Sequence, residues 1–186
     1  MPEGQHLPAF NAAQVSDRGE NGEPLDHRAA SPEAPVGLIW GVRASFVTYI
    51  RSLSDGSIDL TEGAVMSPEG LIRFRFLGTY EGNGGQWLCF GGGARFLGHG
   101  GLLEVPLRNL RVHVVGDGAT LYTEQSDGSL FPLGAVALPE PSLTEGTLVW
   151  DAAPVALDEA GARFFGSHYR PGTGMDPLWL RLPIGR

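Results

Sequence analysis

Two side chains of this 186-residue chain are of the types that bind a hard metal ion and tune it: a tyrosine at position 49 and a histidine at position 99. Tyr49 stands in Leu-Ile-Trp-Gly-Val-Arg-Ala-Ser-Phe-Val-Thr-Tyr-Ile, residues 38–50, which reads as the start of a short amphipathic helix. Val42, Phe46, Tyr49, Ile50 and Leu53 follow the spacing of one helical face, and this predicts a phenol that points inward. A phenol turned inward needs a partner for its oxygen. His99 lies in Phe-Leu-Gly-His-Gly-Gly, residues 96–101, at the end of a strand-like run. Its small neighbours let a ligand or another backbone come close. A tyrosine and a histidine so placed suggest a metal or cofactor site.

The elements that must position this pair read as mostly strand. Ile72-Arg73-Phe74-Arg75-Phe76 alternates strictly, which marks a sheet with one buried and one wet face, Arg73 and Arg75 sharing the wet one. Gln86–Phe90, Leu102–Leu107 and Leu110–Val115 are further strands, and Gly116-Asp117-Gly118 can turn the last of them back into Ala119–Glu124 as a hairpin. After a turn at Ser126-Asp127-Gly128 come Leu130–Leu138, Gly146–Trp150 and a closing strand, Pro177–Leu182. Leu157–Phe164 reads as a short helix with acids early and a base late, which suits its dipole. The expected architecture is mainly β: an antiparallel β-sandwich or open barrel, with one ligand-bearing helix near the N-terminus and a short second helix.

Composition sets the frame. A hydrophobic content of 42% over 186 residues suits one well-cored domain and is short for two. Residues 1–35 are rich in Glu, Asn, Asp, Ser and Pro, lack apolar periodicity and read as a flexible polar extension, leaving 36–186 as the folded domain. The 28 glycines and 14 prolines punctuate short apolar runs, as an all-β domain requires, and no internal repeat is present. A net charge of -8, from 13 basic against 21 acidic residues, offers no broad basic surface, so nucleic acid is not an expected partner. The single cysteine, Cys89, cannot form an intrachain disulfide, and no Cys-x-x-Cys-His segment for covalent haem attachment occurs. Without a secretory signal pattern or an apolar run approaching the ~18 residues of a membrane span, the sequence as written is expected to be cytoplasmic.

Three segments together resemble the HtaA domain of actinobacterial haem-uptake proteins. They are Leu38–Tyr49, with its Trp-Gly and Ser-Phe-x-x-Tyr core, Ala94–Val112 (ARFLGHGGLLEVPLRNLRV) and Leu157–Pro183 (LDEAGARFFGSHYRPGTGMDPLWLRLP). The likeness runs from about Val36 to the C-terminus. It implies a non-catalytic domain that binds ferric haem b, with Tyr49 as the axial ligand to iron and His99 hydrogen-bonded to the tyrosine oxygen. Haem-uptake or haem-transfer proteins would then be partners. Better-known members of this family are exported, which is at odds with the cytoplasmic expectation.

The chemistry of such a pair is coherent on its own terms. Ferric iron is a hard acceptor and phenolate a hard anionic donor, so a tyrosine site favours oxidised haem. A free tyrosine titrates near pH ~10, and the charge of the iron supplies the drive to displace its proton. A histidine donating to the phenolate draws charge from the oxygen and fixes the ring. Haem also needs apolar walls and polar anchors for its propionates. Phe46 and Ile50 are candidate walls, and Ser45, Thr48, Arg43 and Arg51 candidate anchors, with Ser45 and Phe46 kept as neighbours of the pocket.

Other readings compete with this one. A tyrosine on an apolar helix face is more often a core residue bonded to a carbonyl, and a histidine in a glycine-rich turn is more often structural. The domain would then be a β-sandwich module for another ligand or protein. A haem peroxidase or catalase-like enzyme is a third reading, although no distal His-Arg pair is recognisable. His6, His27 and His113 carry no chemistry in any of these, and only His168 and Tyr169 are placed to approach the pocket.

Overall fold

A computed structural model describes residues 36–166 and 168–184. The expected polar extension, with His6 and His27, lies outside them. Thirteen strands and two helices follow one another: β1 (Gly37–Trp40), α1 (Ala44–Ser52), β2 (Ser57–Thr61), β3 (Val65–Met66), β4 (Ile72–Gly82), β5 (Gly85–Gly91), β6 (Gly93–Gly98), β7 (Leu103–Arg108), β8 (Arg111–Val115), β9 (Gly118–Glu124), β10 (Leu130–Val136), β11 (Ser142–Thr144), β12 (Thr147–Leu157), α2 (Glu159–Phe164) and β13 (Gly174–Pro183). A 3-10 turn, His99–Gly101, joins β6 to β7.

The mainly β expectation holds, but the main sheet is not open. Its strands run β1-β13-β12-β10-β9-β8-β5-β4, and β4 pairs back onto β1, which closes a ring of antiparallel neighbours. β1 closes it because its four residues pair with Leu178–Arg181 on one side and Ile72–Arg75 on the other. A closed ring leaves no row of unpaired amides along its edge. β3 and β11 attach outside it, on β4 and β12. A separate sheet, β2-β6-β7, ends at the His99 turn.

The alternation read in the sequence decides which face is dry. Ile72 and Phe74 are wholly buried while Arg73 and Arg75 lie on the other face, and the same rule buries Leu88 and Phe90 on β5 and Leu178, Leu180 and Leu182 on β13. Trp40, at the end of β1, is also fully buried, and its indole N–H is satisfied by the Asp176 carbonyl at 2.8 Å.

Residues 38–50 do not form one helix. Leu38–Trp40 belongs to β1, and the chain swings into α1 through Val42, whose φ of 61° is a left-handed conformation that a β-branched residue rarely adopts. Its carbonyl is held by the Asp176 amide at 3.0 Å. α1 is fixed between β6 and the end of α2 by aromatic contacts: Phe46 meets Phe96 of β6 at 5.2 Å and Phe165, just after α2, at 5.9 Å. Phe165 in turn meets Trp40 edge-on at 6.4 Å. α2 forms as read, capped by Asp158, whose carboxylate accepts the Gly161 N–H at 2.7 Å.

Candidate functional site

The buried residues of α1 are Phe46, Val47 and Ile50. At about 100° per residue, Val47 and Ile50 lie ~100° and ~40° around the helix from Phe46, and Tyr49 lies ~60° the other way. Tyr49 therefore falls outside the buried arc. Its side is 45% exposed, and the inward phenol expected from the spacing is corrected. The misreading began at Val42, which lines up with the helical face in sequence but precedes the helix.

Turned outward, Tyr49 still finds a partner. Its hydroxyl is hydrogen-bonded to Nε2 of His99, fifty residues further along the chain, with the ring centroids 5.9 Å apart and the planes tilted by 41°. The sequence pair is thus one constellation on the surface, where α1 meets the turn after β6. His99, Gly100 and Gly101 all have positive φ, at 53°, 64° and 87°. For the two glycines this is free, and an added Cβ would meet nothing within 4 Å, so conformation is what these positions require. For His99 it costs on the order of 1–3 kcal/mol, a strain that persists only where surrounding contacts hold it.

Two of those contacts come from the end of α1. Leu53 packs so closely on Gly98 that a Cβ there would stand 2.5 Å from Leu53 Cδ1, so the approach at this glycine is by a side chain, where a ligand or another backbone was expected. Asp55 accepts the Gly100 N–H at 2.5 Å. That bond, with help from the His99 amide and the nearby imidazole, holds the Asp55 carboxyl below the usual carboxylate range. Sequence reasoning missed Asp55. The only signal was an Asp-Gly turn directly after a helix, a feature common enough to carry no site information.

The neighbouring residues divide. Ser45 and Thr48 are exposed, as Tyr49 is; Ser45, four residues before Tyr49, shares its side of α1, while Thr48 stands about 100° further round the helix. Phe46, at 4% exposure, and Ile50, fully buried, back the helix from the core. Leu102, next after the His99 turn, is 93% exposed. Arg51 reaches away to the sulfur of Met66 at 3.4 Å. Arg43 lies over the ring of Tyr169, 5.4 Å from its centroid. Tyr169 also packs on Phe165, and burial raises its phenol above the ordinary range, against the pull of Arg43. His168 is exposed. His113 stacks on Trp87 at 3.9 Å and lies within hydrogen-bonding distance of the Gly82 carbonyl, a structural role.

Among the described residues no three His, Cys, Asp or Glu side chains converge to hold a bare metal ion. What the surface offers is an exposed phenol oxygen hydrogen-bonded to an imidazole.

A family model, Htaa, matches residues 36–181, most of the chain. The chain belongs to the HtaA family. Solved HtaA domains share its fold: the C-terminal domain of HtaA from Corynebacterium glutamicum is 26% identical, with a TM-score of 0.64 over 81% of this chain and 98% of that one. The N-terminal domain of the same protein gives 25% identity and the same TM-score over 81% and 97% of the two chains. Heme binding protein HtaB from the same organism is 18% identical and likewise shares the fold, with a TM-score of 0.58 over 78% and 91%. No curated protein matches this HtaA domain. No helix among the described residues is long and apolar enough to cross a membrane.

Proposed function

We propose that this HtaA domain captures ferric haem b through Tyr49 as an axial tyrosinate, with His99 tuning the bond, and passes the haem on in uptake or trafficking without catalysing a reaction. The observation that carries this is the pairing of the Tyr49 hydroxyl with His99 Nε2 on the surface. A phenol whose oxygen already faces a histidine, and which is 45% exposed, can coordinate an incoming ion while the imidazole takes up the hydrogen bond, which supports this reading. Since no three-ligand cluster is present among the described residues, one oxygen donor suits an iron that arrives already held by its macrocycle. The surroundings fit a flat, mostly apolar disc with polar edges: Leu102 is open on one side, and the hydroxyls of Ser45 and Thr48 are open along α1. When bound, the iron supplies the charge that makes the phenolate form favourable. His99 orients the phenol and accepts or donates its proton, and Phe46 and Ile50 fix the helix from behind.

Exposure of the pair also suits transfer. A ligand on an outward helix face can be reached by a second protein, whereas a buried ligand would require the fold to open.

The test is an absorption titration of the purified domain with ferric haem, beside Tyr49→Ala under the same conditions. A saturable one-to-one spectrum of high-spin tyrosinate character, lost in the variant, is expected. Equal binding by the variant would overturn the ligand assignment, and no saturable change in wild type would remove the function.

A further inference from the structure

We propose that Asp55 is a positioning residue for the Tyr49–His99 pair: its carboxylate holds the left-handed turn that carries His99, and so sets the imidazole against the phenol. This rests on the haem reading above and extends it to a residue whose hydrogen bond is to the backbone of the turn.

The geometry has two halves. On one side, the turn His99–Gly101 places three successive residues at positive φ. Successive amides in such turns point toward a common concavity that favours an anion. Asp55 fills that role, taking the Gly100 N–H at 2.5 Å, with the His99 amide also acting on its carboxylate. On the other side, Asp55 is tied to the end of α1. The Gly56 N–H bonds back to the Leu53 carbonyl at 3.2 Å, and a Cβ on Gly56 would stand 1.9 Å from the Ile50 carbonyl oxygen, so only glycine lets the chain fold this tightly under the helix. The fold at Gly56 delivers the carboxylate to the His99 turn.

Two bridges therefore join the same two segments. Tyr49 to His99 links side chains, and Asp55 to Gly100 links a side chain to the backbone. The second is independent of any ligand. It supports a backbone conformation that histidine alone does not favour, so its loss frees the turn and lets the imidazole leave the phenol. Asp55 then acts on haem only through His99.

The experiment is a double-mutant cycle in ferric haem affinity over Asp55→Ala, His99→Ala and the double variant, with Asp55→Asn as the conservative change. Asp55→Ala in the wild-type background is expected to weaken binding roughly tenfold, the lower end of what partners of a metal ligand contribute. In the His99→Ala background the same change should have less than about a twofold effect, because the coupling has already gone. Asp55→Asn retains one acceptor oxygen and should fall between. Without haem, the Gly100 amide proton and the His99 ring resonances in NMR spectra should shift in Asp55→Ala while the rest of the spectrum stays in place. Equal losses in both backgrounds, or unshifted Gly100 and His99 resonances, would overturn the proposal with the haem function intact. A wild-type domain that takes up no haem would instead end the functional reading itself, and this proposal with it.

Discussion

Gly161→Ala is a substitution for which helix propensity and tertiary packing give opposite signs. Gly161 lies inside α2, where alanine is favoured over glycine by ~1 kcal/mol. A Cβ there, however, would stand 1.7 Å from the Leu133 carbonyl oxygen and 2.6 Å from its carbon. That oxygen is backbone of β10 and cannot swing aside, so relief requires the helix to retreat by roughly 1.5–2 Å, to ordinary contact distance. Retreat breaks the bond from the Asp158 amide to the same carbonyl, at 3.2 Å, and loosens Ala162 and Phe165, which are 3% and 2% exposed. Overpacking costs ~1–3 kcal/mol and the lost hydrogen bond ~1 kcal/mol. Less the propensity gain, the variant should be destabilised by about 1–3 kcal/mol, and a chain of this size should melt about 3–10 °C lower. Thermal unfolding followed by circular dichroism measures it. A melting temperature equal to or above wild type would refute the idea that α2 seats on β10 through its backbone. Because Phe165 also touches Phe46, a haem affinity lowered along with stability would show the displacement reaching α1.

Other changes separate the site from the scaffold. Tyr49→Phe removes a single oxygen from a residue 45% exposed, so urea unfolding should shift by no more than about 0.5–1 kcal/mol. Its haem affinity should nevertheless fall by more than the ~100-fold that outer partners of a metal ligand contribute, and a smaller loss would point to another ligand. Phe46→Ala should do the reverse: with 4% exposure and ring contacts to Phe96 and Phe165, it should cost about 3–5 kcal/mol in denaturant titrations, with a weakened site only as a consequence of a loosened helix.

Much of the domain could be read along the chain. Strict alternation identified β4 and its dry face, and glycine-rich turns separated β8 from β9 and β9 from β10. Acids early and a base late marked α2, with Glu159 and Arg163 now seen paired at 2.8 Å. β1 was less legible. Four apolar residues fit strand and helix equally well, and only pairing on both sides, to β4 and β13, settles the choice. β2 and β3 are short, largely exposed strands whose pairing partners, rather than any apolar pattern of their own, make them strands.

The sequence by itself determined that the domain is mainly β, and that one tyrosine and one histidine are its candidates for chemistry, because alternation and residue type are local properties. Tertiary structure decided that the sheet closes into a ring, since closure depends on two strands far apart in the chain meeting across β1. It also decided that Tyr49 faces outward, because α1 is rotated by what its neighbours accept: Phe96 and Phe165 take the ring of Phe46, and the phenol is left on the solvent side. The pairing of Tyr49 with His99, and the carboxylate of Asp55 under the histidine turn, join segments about fifty residues apart. No spacing rule spans such a distance; it is the packing of α1 against β6 that brings these groups together.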